Sequence, residues 1–273
     1  MAVKHLTEER PPAGLLRLVR RRRDARFGHT LLWQTHIDST NSWLRRQADL
    51  GAREGTLAVA GTQSRGRGRL GRPWESPPGL GIYCSILLQP RLEAARLGML
   101  PLAAGIAAAQ AVRRAARLQT CLKWPNDLLV GRRKVGGILV EGASRGGRQD
   151  FVIVGWGLNL RQKRADFSPS LVNRSTSVRL ARGTLRPVES FLAWFLSGLE
   201  RQVALLEAGE CSDVLARFAA LSPSTRDTHL KILIDGCWRR ATSRGLAEDG
   251  SLLVDFPEGE RRLHGSEPLR LLR

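Results

Sequence analysis

Four short strand-like segments follow one another in the middle of the chain, with turns rather than helices between them. They cover residues 120–124, 127–130, 134–142 and 150–160. The turns include Gly131-Arg132-Arg133 and Gly146-Gly147-Arg148. Strands joined by such short connections pair antiparallel, because a parallel pair needs a crossover of a dozen or more residues. The pattern therefore predicts an antiparallel sheet and not a doubly wound parallel one.

Helices flank this predicted sheet. Asp38, Ser39 and Thr40 are good N-cap residues for a short helix, and alanine and leucine at helical spacing predict the main packing helix over 97–118. Further helices are predicted over 189–206 and 212–221, and further strands over 56–61 and 81–88. Residues 29–222 are therefore predicted to form one α/β domain behind a basic extension, 1–28.

Five short consecutive strands are predicted near the C-terminal end of the sequence. They are predicted over 229–234, 238–246, 251–256, 260–264 and 268–272, with turns such as Asp235-Gly236 between them. Strands of this length and number are typical of a small barrel. We assign residues 226–273 to this second domain.

The charge balance is dominated by arginine. The formal net charge is +19, which favours binding to polyanions. Lysine occurs only at Lys4, Lys123, Lys134, Lys163 and Lys231. An arginine excess of this kind is typical of a GC-rich genome, so the charge carries little functional weight. A lysine inside a motif is then chosen for its compact ammonium group, which singles out Lys123 and Lys134.

Cysteines and histidines indicate no metal or disulfide chemistry. The four cysteines form no C-x-x-C pair, and Cys84 and Cys121 lie in apolar runs where a small buried hydrophobe is expected. The longest apolar stretch, 99–112, is shorter than the roughly 20 residues of a membrane span. The N-terminal residues are charged rather than apolar, so they do not predict a secretory signal. We therefore expect a cytoplasmic enzyme without a membrane segment.

A basic, glycine-rich stretch is the strongest functional signal. Gly66-Arg67-Gly68-Arg69-Leu70-Gly71-Arg72-Pro73-Trp74 places three arginines and three glycines in nine residues, ending on an aromatic. Glycine lets the backbone approach an anion, and each arginine offers a planar set of donors to phosphate or carboxylate. The stretch predicts a loop that binds a nucleotide phosphate and closes over it; its alternative is a solvated basic turn.

Five motifs together resemble the biotin protein ligases, which join biotin to a lysine of a carboxylase carrier domain. In chain order they are Asp38-Ser39-Thr40-Asn41, Gln63 with the basic loop, Lys123-Trp124-Pro125-Asn126-Asp127, Lys134-Val135-Gly136-Gly137-Ile138-Leu139-Val140-Glu141, and Gly155-Trp156-Gly157-Leu158-Asn159. The resemblance implies an α/β (α+β) fold similar to class II aminoacyl-tRNA synthetases, with a mixed or antiparallel sheet, flanking helices and a C-terminal SH3-like barrel. Some members also carry a DNA-binding winged helix-turn-helix, for which residues 1–28 offer no core.

The implied reaction has two steps. Biotin's carboxylate attacks the α-phosphate of ATP to give biotinyl-5'-AMP and pyrophosphate, and a carrier lysine then displaces AMP. Because two anions must meet, charge neutralisation and positioning dominate, and no protein nucleophile is needed. The resemblance makes Lys123, Arg67 and Arg69 the catalytic residues, with Lys123 bridging carboxylate and α-phosphate.

The resemblance also assigns the binding residues. The ATP set is Arg69, Arg72, Trp74, Asn126, Lys134 and Asn159. The biotin set is Ser39, Thr40, Asn41, Gln63, Arg67, Gly68, Arg69, Lys123, Gly136, Gly137, Gly155 and Gly157. The last four leave room for the bicyclic ring. Trp156, between two of them, departs from the family pattern and would narrow or shield the slot. Mg²⁺ is expected with ATP, with Asn126 and Asp127 as candidates for orienting it. Arg65 has no assigned role.

Three other functions compete with this interpretation. A lipoate ligase of the same fold shares the two-step chemistry, although the Gly-Arg-Gly-Arg order favours biotin. A biotin-responsive DNA-binding repressor would use the net charge and the arginine cluster 20–26. A non-enzymatic biotin or adenylate sensor would bind without turnover. We expect a monomer or homodimer, the biotin carboxyl carrier domain as partner, and no membrane or specific DNA.

Overall fold

The computed structural model describes residues 9–145 and 148–272. The first eight residues of the predicted basic extension, and Gly146 and Gly147 of a predicted turn, lie outside the described residues. The helices are α1 Ala13–Arg21, α2 Thr40–Asp49, α3 Leu100–Ala116, α4 Val188–Glu207 and α5 Cys211–Leu221. Short 3₁₀ helices cover Arg69–Gly71, Ala94–Met99, Arg164–Asp166 and Pro223–Thr225.

The larger of two sheets has seven strands, and its spatial order is β1-β2-β3-β7-β6-β5-β4. Their bounds are β1 Thr30–Ile37, β2 Thr56–Gln63, β3 Gly81–Leu88, β4 Cys121–Lys123, β5 Asp127–Val130, β6 Arg133–Arg145 and β7 Arg148–Asn159. Strands β4 to β7 pair antiparallel, as the turn pattern predicts. Strands β2 and β3, on either side of the basic loop, are also neighbours and antiparallel.

Strand β1 adds a parallel pair that the sequence pattern did not predict. It aligns with β2, with Leu31 opposite Leu57. Helix α2 is the crossover that lets the two strands run in the same direction. The sheet is therefore mixed, and the crossover places the start of α2 beside the ends of β2 and β3.

The main core lies between the sheet and helices α3 and α4. Helix α3 is rich in alanine, and these small side chains allow a close approach: a β-carbon on Gly198 of α4 would lie 3.2 Å from Ala107. Within the described residues, one stretch, Ala94–Ala116, is long and apolar enough to cross a bilayer. Most of it is buried in this core, and it coincides with the packing helix predicted over 97–118.

Helix α1 belongs to the same core, so part of the predicted basic extension packs with the α/β domain. Leu15, Leu18 and Val19 are buried in one cluster with residues of α3 and α4. Arg22 contacts Glu200 at 2.7 Å, and Arg26 contacts both Glu54 and Glu207. Much of the N-terminal charge therefore serves to attach this segment, because the arginines pair with carboxylates of the domain.

The second sheet has five antiparallel strands in the order β11-β10-β9-β8-β12. They are β8 His229–Ile234, β9 Cys237–Leu246, β10 Leu252–Phe256, β11 Gly259–Leu263 and β12 Leu269–Leu271. Trp124, at the end of β4, donates its indole N–H to the carbonyl of Gly250 at 3.0 Å. This contact joins the second sheet to the edge of the first, next to the Lys123 motif.

Candidate active site

The basic loop between β2 and β3 folds as a tight hairpin. Trp74 N–H donates to the carbonyl of Gly66 at 2.8 Å, and Gly68 N–H donates to the carbonyl of Arg72 at 2.7 Å. A β-carbon on Gly66 would lie 2.4 Å from the Trp74 carbonyl oxygen, so this close approach requires glycine. The arginines therefore extend from a backbone held at both ends.

An inner pocket lies beside this loop, between α2 and strands β2, β3, β6 and β7. It collects most of the residues that the sequence assigned to the site. Those that line it are Ser39, Thr40, Asn41, Gln63, Arg67, Gly68, Arg69, Trp74, Asn126, Lys134, Gly137, Gly155 and Gly157. Five distant motifs thus meet at one place, because α2, the loop and three strands all end or turn there.

Polar groups line one end of the inner pocket. Ser39 is the N-cap residue of α2, but its side chain makes no capping hydrogen bond. Thr40 donates from its backbone N–H to Gln63 Oε1 at 2.8 Å, and its hydroxyl donates to the same oxygen at 3.2 Å. Gln63 Nε2 donates to Ser76 Oγ at 2.9 Å. These groups offer the donors and acceptors that a buried cyclic urea requires.

Three residues that the sequence interpretation missed complete this polar end. The hydroxyl oxygen of Ser85, buried on β3, lies within hydrogen-bond distance of Asn41 Oδ1, at 2.5 Å, and of Thr40 Oγ1, at 2.8 Å. Glu141 Oε2 accepts from Asn41 Nδ2 at 2.7 Å, and Ser76 accepts from Gln63. Ser85 carried a usable signal, since it interrupts the apolar run of β3. Glu141 carried one as the last residue of the Lys134 motif.

Three of the four predicted site glycines accommodate neighbouring side chains. A β-carbon on Gly155 would lie 2.3 Å from Asn41 Oδ1, and one on Gly157 would lie 2.6 Å from the Trp74 ring. The space at Gly137 is bordered by Lys134, at 3.2 Å. These glycines therefore let Asn41, Trp74 and Lys134 lie flat against the sheet.

Gly136 and Trp156 correct the sequence interpretation. A β-carbon on Gly136 would meet the carbonyl of Gly157 at 2.8 Å within the sheet, so this glycine does not make room in the slot. Trp156 does not narrow the slot with its side chain, because strand alternation points the ring to the opposite face. There it is 1% exposed and packs on Phe195, with ring centroids 4.5 Å apart.

A larger outer cleft of about 1090 Å³ lies between the basic loop and the second sheet. Gly68, Arg69, Trp74, Asn126 and Lys134 line both spaces. Three further predicted residues, Arg72, Lys123 and Asn159, line only the outer cleft. The two spaces therefore adjoin at the residues expected to contact a carboxylate and a phosphate.

Asp127 holds both motif lysines in the cleft. Lys123 Nζ lies 3.0 Å from Asp127 Oδ2, and Lys134 Nζ contacts Asp127 Oδ1. Burial raises the pKa of Asp127, but the two ammonium groups outweigh it and lower that pKa from 3.8 to about 2. Lys123 also approaches the carbonyl oxygen of Leu269 in β12 at 3.5 Å. The group formed by Asp127 and the two lysines therefore has two positive charges and one negative charge.

Arg69 lies between the two sheets. Its Nη1 donates to Asn126 Oδ1 at 3.3 Å, and its Nη2 is 2.9 Å from the position of a β-carbon on Gly265. Burial lowers the pKa of Arg69, and the charges of Asp127 and Glu267 oppose that shift. Its guanidinium is thus partly desolvated, which strengthens its attraction for an anion.

The other two arginines of the basic loop and Asn159 differ in their contacts with the rest of the protein. Arg67 pairs with Glu141 at 3.2 Å, and Arg72 is exposed at the mouth of the outer cleft. Asn159 donates to the carbonyl of Thr176 at 3.0 Å and accepts from Gln162 at 3.2 Å. Asn159 is therefore fixed by protein contacts on the adenosine side predicted for it.

One of the four cysteines, Cys84, lines the inner pocket. Cys84 is buried, as predicted, and burial raises the pKa of its thiol to about 12. Cys121, also predicted to be buried, is half-buried. Among the described residues, no group of three or more His, Cys, Asp or Glu side chains is placed to hold a metal ion.

Comparison with known proteins places the chain in a class. The model of the Biotin/lipoate A/B protein ligase family matches residues 33–159, which span β1 to the end of β7. The bifunctional ligase/repressor BirA of Escherichia coli K12 is 32% identical over 223 residues, covering 80% of this chain and 67% of that protein. The chain belongs to the biotin/lipoate A/B protein ligase family.

Two further relatives narrow the comparison. The bifunctional ligase/repressor BirA of Bacillus spizizenii is 40% identical over 157 residues, which cover 58% of this chain and 48% of that protein. The chain thus spans about half the length of the curated relatives that head the comparison. Biotin protein ligase from Aquifex aeolicus, solved with biotin and ATP, superposes with a TM-score of 0.76 at 28% identity. It covers 89% of this chain and 99% of the solved one.

Proposed function

We propose that the protein is an ATP-dependent biotin protein ligase that makes biotinyl-5'-AMP and transfers biotin to a lysine of a biotin carboxyl carrier domain. The observation that carries the proposal is that the inner pocket and the outer cleft adjoin. A pocket with urea-type donors and acceptors shares Arg69, Asn126 and Lys134 with a cationic cleft. Biotin and ATP joined at a carboxylate and an α-phosphate need this arrangement.

In the first step, an oxygen of the biotin carboxylate attacks the α-phosphorus of ATP. The bond from that phosphorus to the bridging oxygen breaks, and pyrophosphate leaves. In the second step, the neutral amine of the carrier lysine attacks the biotin carbonyl carbon, the bond to the AMP oxygen breaks, and the amine loses a proton. Neither step needs a covalent bond to the enzyme, so the described residues act by binding and neutralising charge.

The two motif lysines lie in different parts of the site. Lys134 lines both spaces and lies above the Trp74 ring, 5.4 Å from its centroid, whereas Lys123 lines only the outer cleft. We infer that Lys134 meets the carboxylate and α-phosphate together with Arg69. Lys123, predicted from the sequence to bridge the same groups, acts from the outer side, where Asp127 fixes its position.

A protein-held magnesium ion does not fit the described residues. Asp127, the candidate carboxylate in the Lys123 motif, has both of its oxygens in contact with lysines. A hard divalent cation prefers several free oxygen ligands. We expect Mg²⁺ to enter with the phosphates of ATP, and no step is assigned to it.

Finer structural assignments are part of the same proposal. The mixed sheet with flanking helices supports a class II aminoacyl-tRNA synthetase-like catalytic domain, and the five-stranded antiparallel sheet supports an SH3-like C-terminal domain. The partner is inferred from the family chemistry, which requires a carrier that presents a lysine.

Transfer to a carrier tests the proposal directly. Purified protein with ATP, labelled biotin and a biotin carboxyl carrier domain is expected to label a single carrier lysine, and a carrier with that lysine changed to arginine is the control. Excess unlabelled biotin should abolish labelling, while excess lipoate should leave it intact. Labelling that responds to lipoate instead would establish a lipoate ligase, and binding of biotin without transfer would indicate a sensor.

A further inference from the structure

A carboxylate stands at the edge of a pocket whose expected ligand is an anion. Glu141 lies on β6 in the same row as Gly137 and Leu139, which line the inner pocket. Its side chain is 32% exposed and accepts from two site residues, Asn41 at 2.7 Å and Arg67 at 3.2 Å. A negative charge there would repel a carboxylate or phosphate, so its place at the edge of the pocket requires another explanation.

The hydrogen bonds of Glu141 continue through the polar end of the inner pocket, which we call the pocket floor. From Asn41 the chain passes to Ser85 and Thr40, and from Thr40 to Gln63. Gln63 then donates to Ser76, whose hydroxyl donates to the backbone carbonyl of Trp74 at 3.2 Å.

This chain of contacts begins and ends on the basic loop. Arg67, near the start of the loop, is reached through Glu141, and Trp74, at its end, is reached through Ser76. Between these two ends lie the side chains expected to bind the ureido ring. The pocket floor and both ends of the loop therefore form one connected set of polar contacts.

We propose that Glu141 is a positioning residue that holds Arg67 over the inner pocket and thereby couples the basic loop to the pocket floor. The proposal rests on the proposed function for its catalytic consequence, since Arg67 is then held where the ligand's carboxylate arrives. Its structural part, the attachment of the loop by Glu141, stands on the contacts alone.

Hydrogen exchange measures the structural part without any ligand. Glu141→Gln keeps an oxygen for Asn41 but removes the charge that holds Arg67. We expect the loop amides of Gly68 and Trp74 to exchange about threefold to tenfold faster. A partly exposed ion pair contributes up to about 1 kcal/mol, and an ion pair that belongs to a hydrogen-bond network contributes somewhat more. Arg67→Ala should give the same increase, and the double variant should add nothing further.

Retention of the intermediate measures the catalytic part. Biotinyl-5'-AMP formed in a single turnover should escape about threefold to tenfold faster from Glu141→Gln than from the unchanged protein. KM for biotin should rise more than kcat falls, and again the effect should vanish in the Arg67→Ala background. Glu93→Gln, an exposed carboxylate away from the pocket, is the control and should match the unchanged protein in both measurements.

Two results would overturn the proposal. Unchanged exchange in Glu141→Gln would show that the pair does not hold the loop. An equal loss in the presence and absence of Arg67 would show that Glu141 acts through another group. If the unchanged protein makes no biotinyl-5'-AMP, the proposed function fails, while the exchange data still decide whether Glu141 holds the loop.

Discussion

At the scale of single residues, the chemistry of the cleft depends on how its charges are shared. Lys123 and Lys134 both contact Asp127, so neither ammonium faces the cleft alone. Arg69 lies partly desolvated nearby, and Arg67 is held by Glu141. Fixed cations in a partly dry cleft attract phosphate more strongly than cations in water do, because the local dielectric is lower.

The lysines give the first prediction. Lys134→Ala should lower biotin-dependent pyrophosphate release by about a hundredfold or more, the usual cost of losing one charge-stabilising group in a reaction centre. Lys123→Ala should also lower it, but less, because Lys123 lies outside the inner pocket. Lys231→Ala, in the second sheet, is the control. Near-normal pyrophosphate release by both cleft variants would contradict the assignment.

Asp127 gives a prediction about pH. Its pKa is lowered in the folded protein, so it stabilises the fold fully above its unfolded pKa near 3.8, and this contribution is lost as the pH falls towards 2. The shift corresponds to roughly 2 kcal/mol. Urea unfolding at pH 6, 4 and 3 should show a smaller pH dependence in Asp127→Asn than in the unchanged protein. Asp24→Asn, whose side chain is 87% exposed, should behave like the unchanged protein, and an unaltered slope in Asp127→Asn would exclude this role.

At the scale of elements, strand β7 separates two environments by simple alternation. Gly155 and Gly157 face the pocket, whereas Trp156 between them faces the helices and packs on Phe195. The pocket face has no side chains on these residues, so Asn41 and Trp74 lie directly against the backbone. The opposite face supplies a large buried ring to the core.

A β-carbon on this pocket face should therefore disturb ATP binding. In Gly157→Ala the new carbon would lie 2.6 Å from the Trp74 ring, so the ring must move. If Trp74 packs on adenine, KM for ATP should rise about fivefold or more, since such stacking is worth about 1–3 kcal/mol. Gly98→Ala, where the nearest heavy atom is 3.4 Å away, is the matched control. An unchanged KM for ATP in Gly157→Ala would show that Trp74 does not contact the adenine.

The elements also show what the sequence could predict. Strands β3, β5 and β8 begin and end at the predicted residues, because glycine-containing turns or proline-bearing segments bound them. The parallel strand β1 was not predicted, since its pairing depends on a crossover rather than on local pattern. Strand alternation indicates that the ring of Trp156 points away from Gly155 and Gly157, and the structure places it on Phe195. Contacts such as Asn41 with Glu141 join residues about a hundred positions apart, which no local pattern reveals.

At the scale of the whole molecule, segments near both ends of the chain are attached to the seven-stranded sheet and its helices. Helix α1 packs in the main core, and Arg26 joins Glu54, before β2, to Glu207, at the end of α4. Hydrogen bonding to Glu207 and then to Glu54 raises the pKa of Arg26, against the effect of burial. At the other end, the second sheet reaches the cleft through Gly250 and Leu269.

Arg26→Ala should weaken the fold without altering the chemistry. It removes charge-assisted hydrogen bonds to two carboxylates, with an expected loss of about 2–3 kcal/mol in the free energy of unfolding. Arg23→Ala is the matched control, because its side chain is 80% exposed and it pairs with the equally exposed Asp24. Thermal unfolding and kcat at 25 °C would be measured together. A normal Tm in Arg26→Ala, or a lowered kcat below its unfolding range, would contradict this division.

The most direct test of the central claim follows the oxygen atoms of biotin. Biotin labelled with ¹⁸O in both carboxylate positions is supplied with ATP, carrier domain and enzyme, and the products are weighed by mass spectrometry. If a carboxylate oxygen attacks the α-phosphorus, the AMP released on transfer to lysine carries one ¹⁸O, and the new amide retains the other. Label in inorganic phosphate with ADP as product, or AMP free of label, would contradict the account.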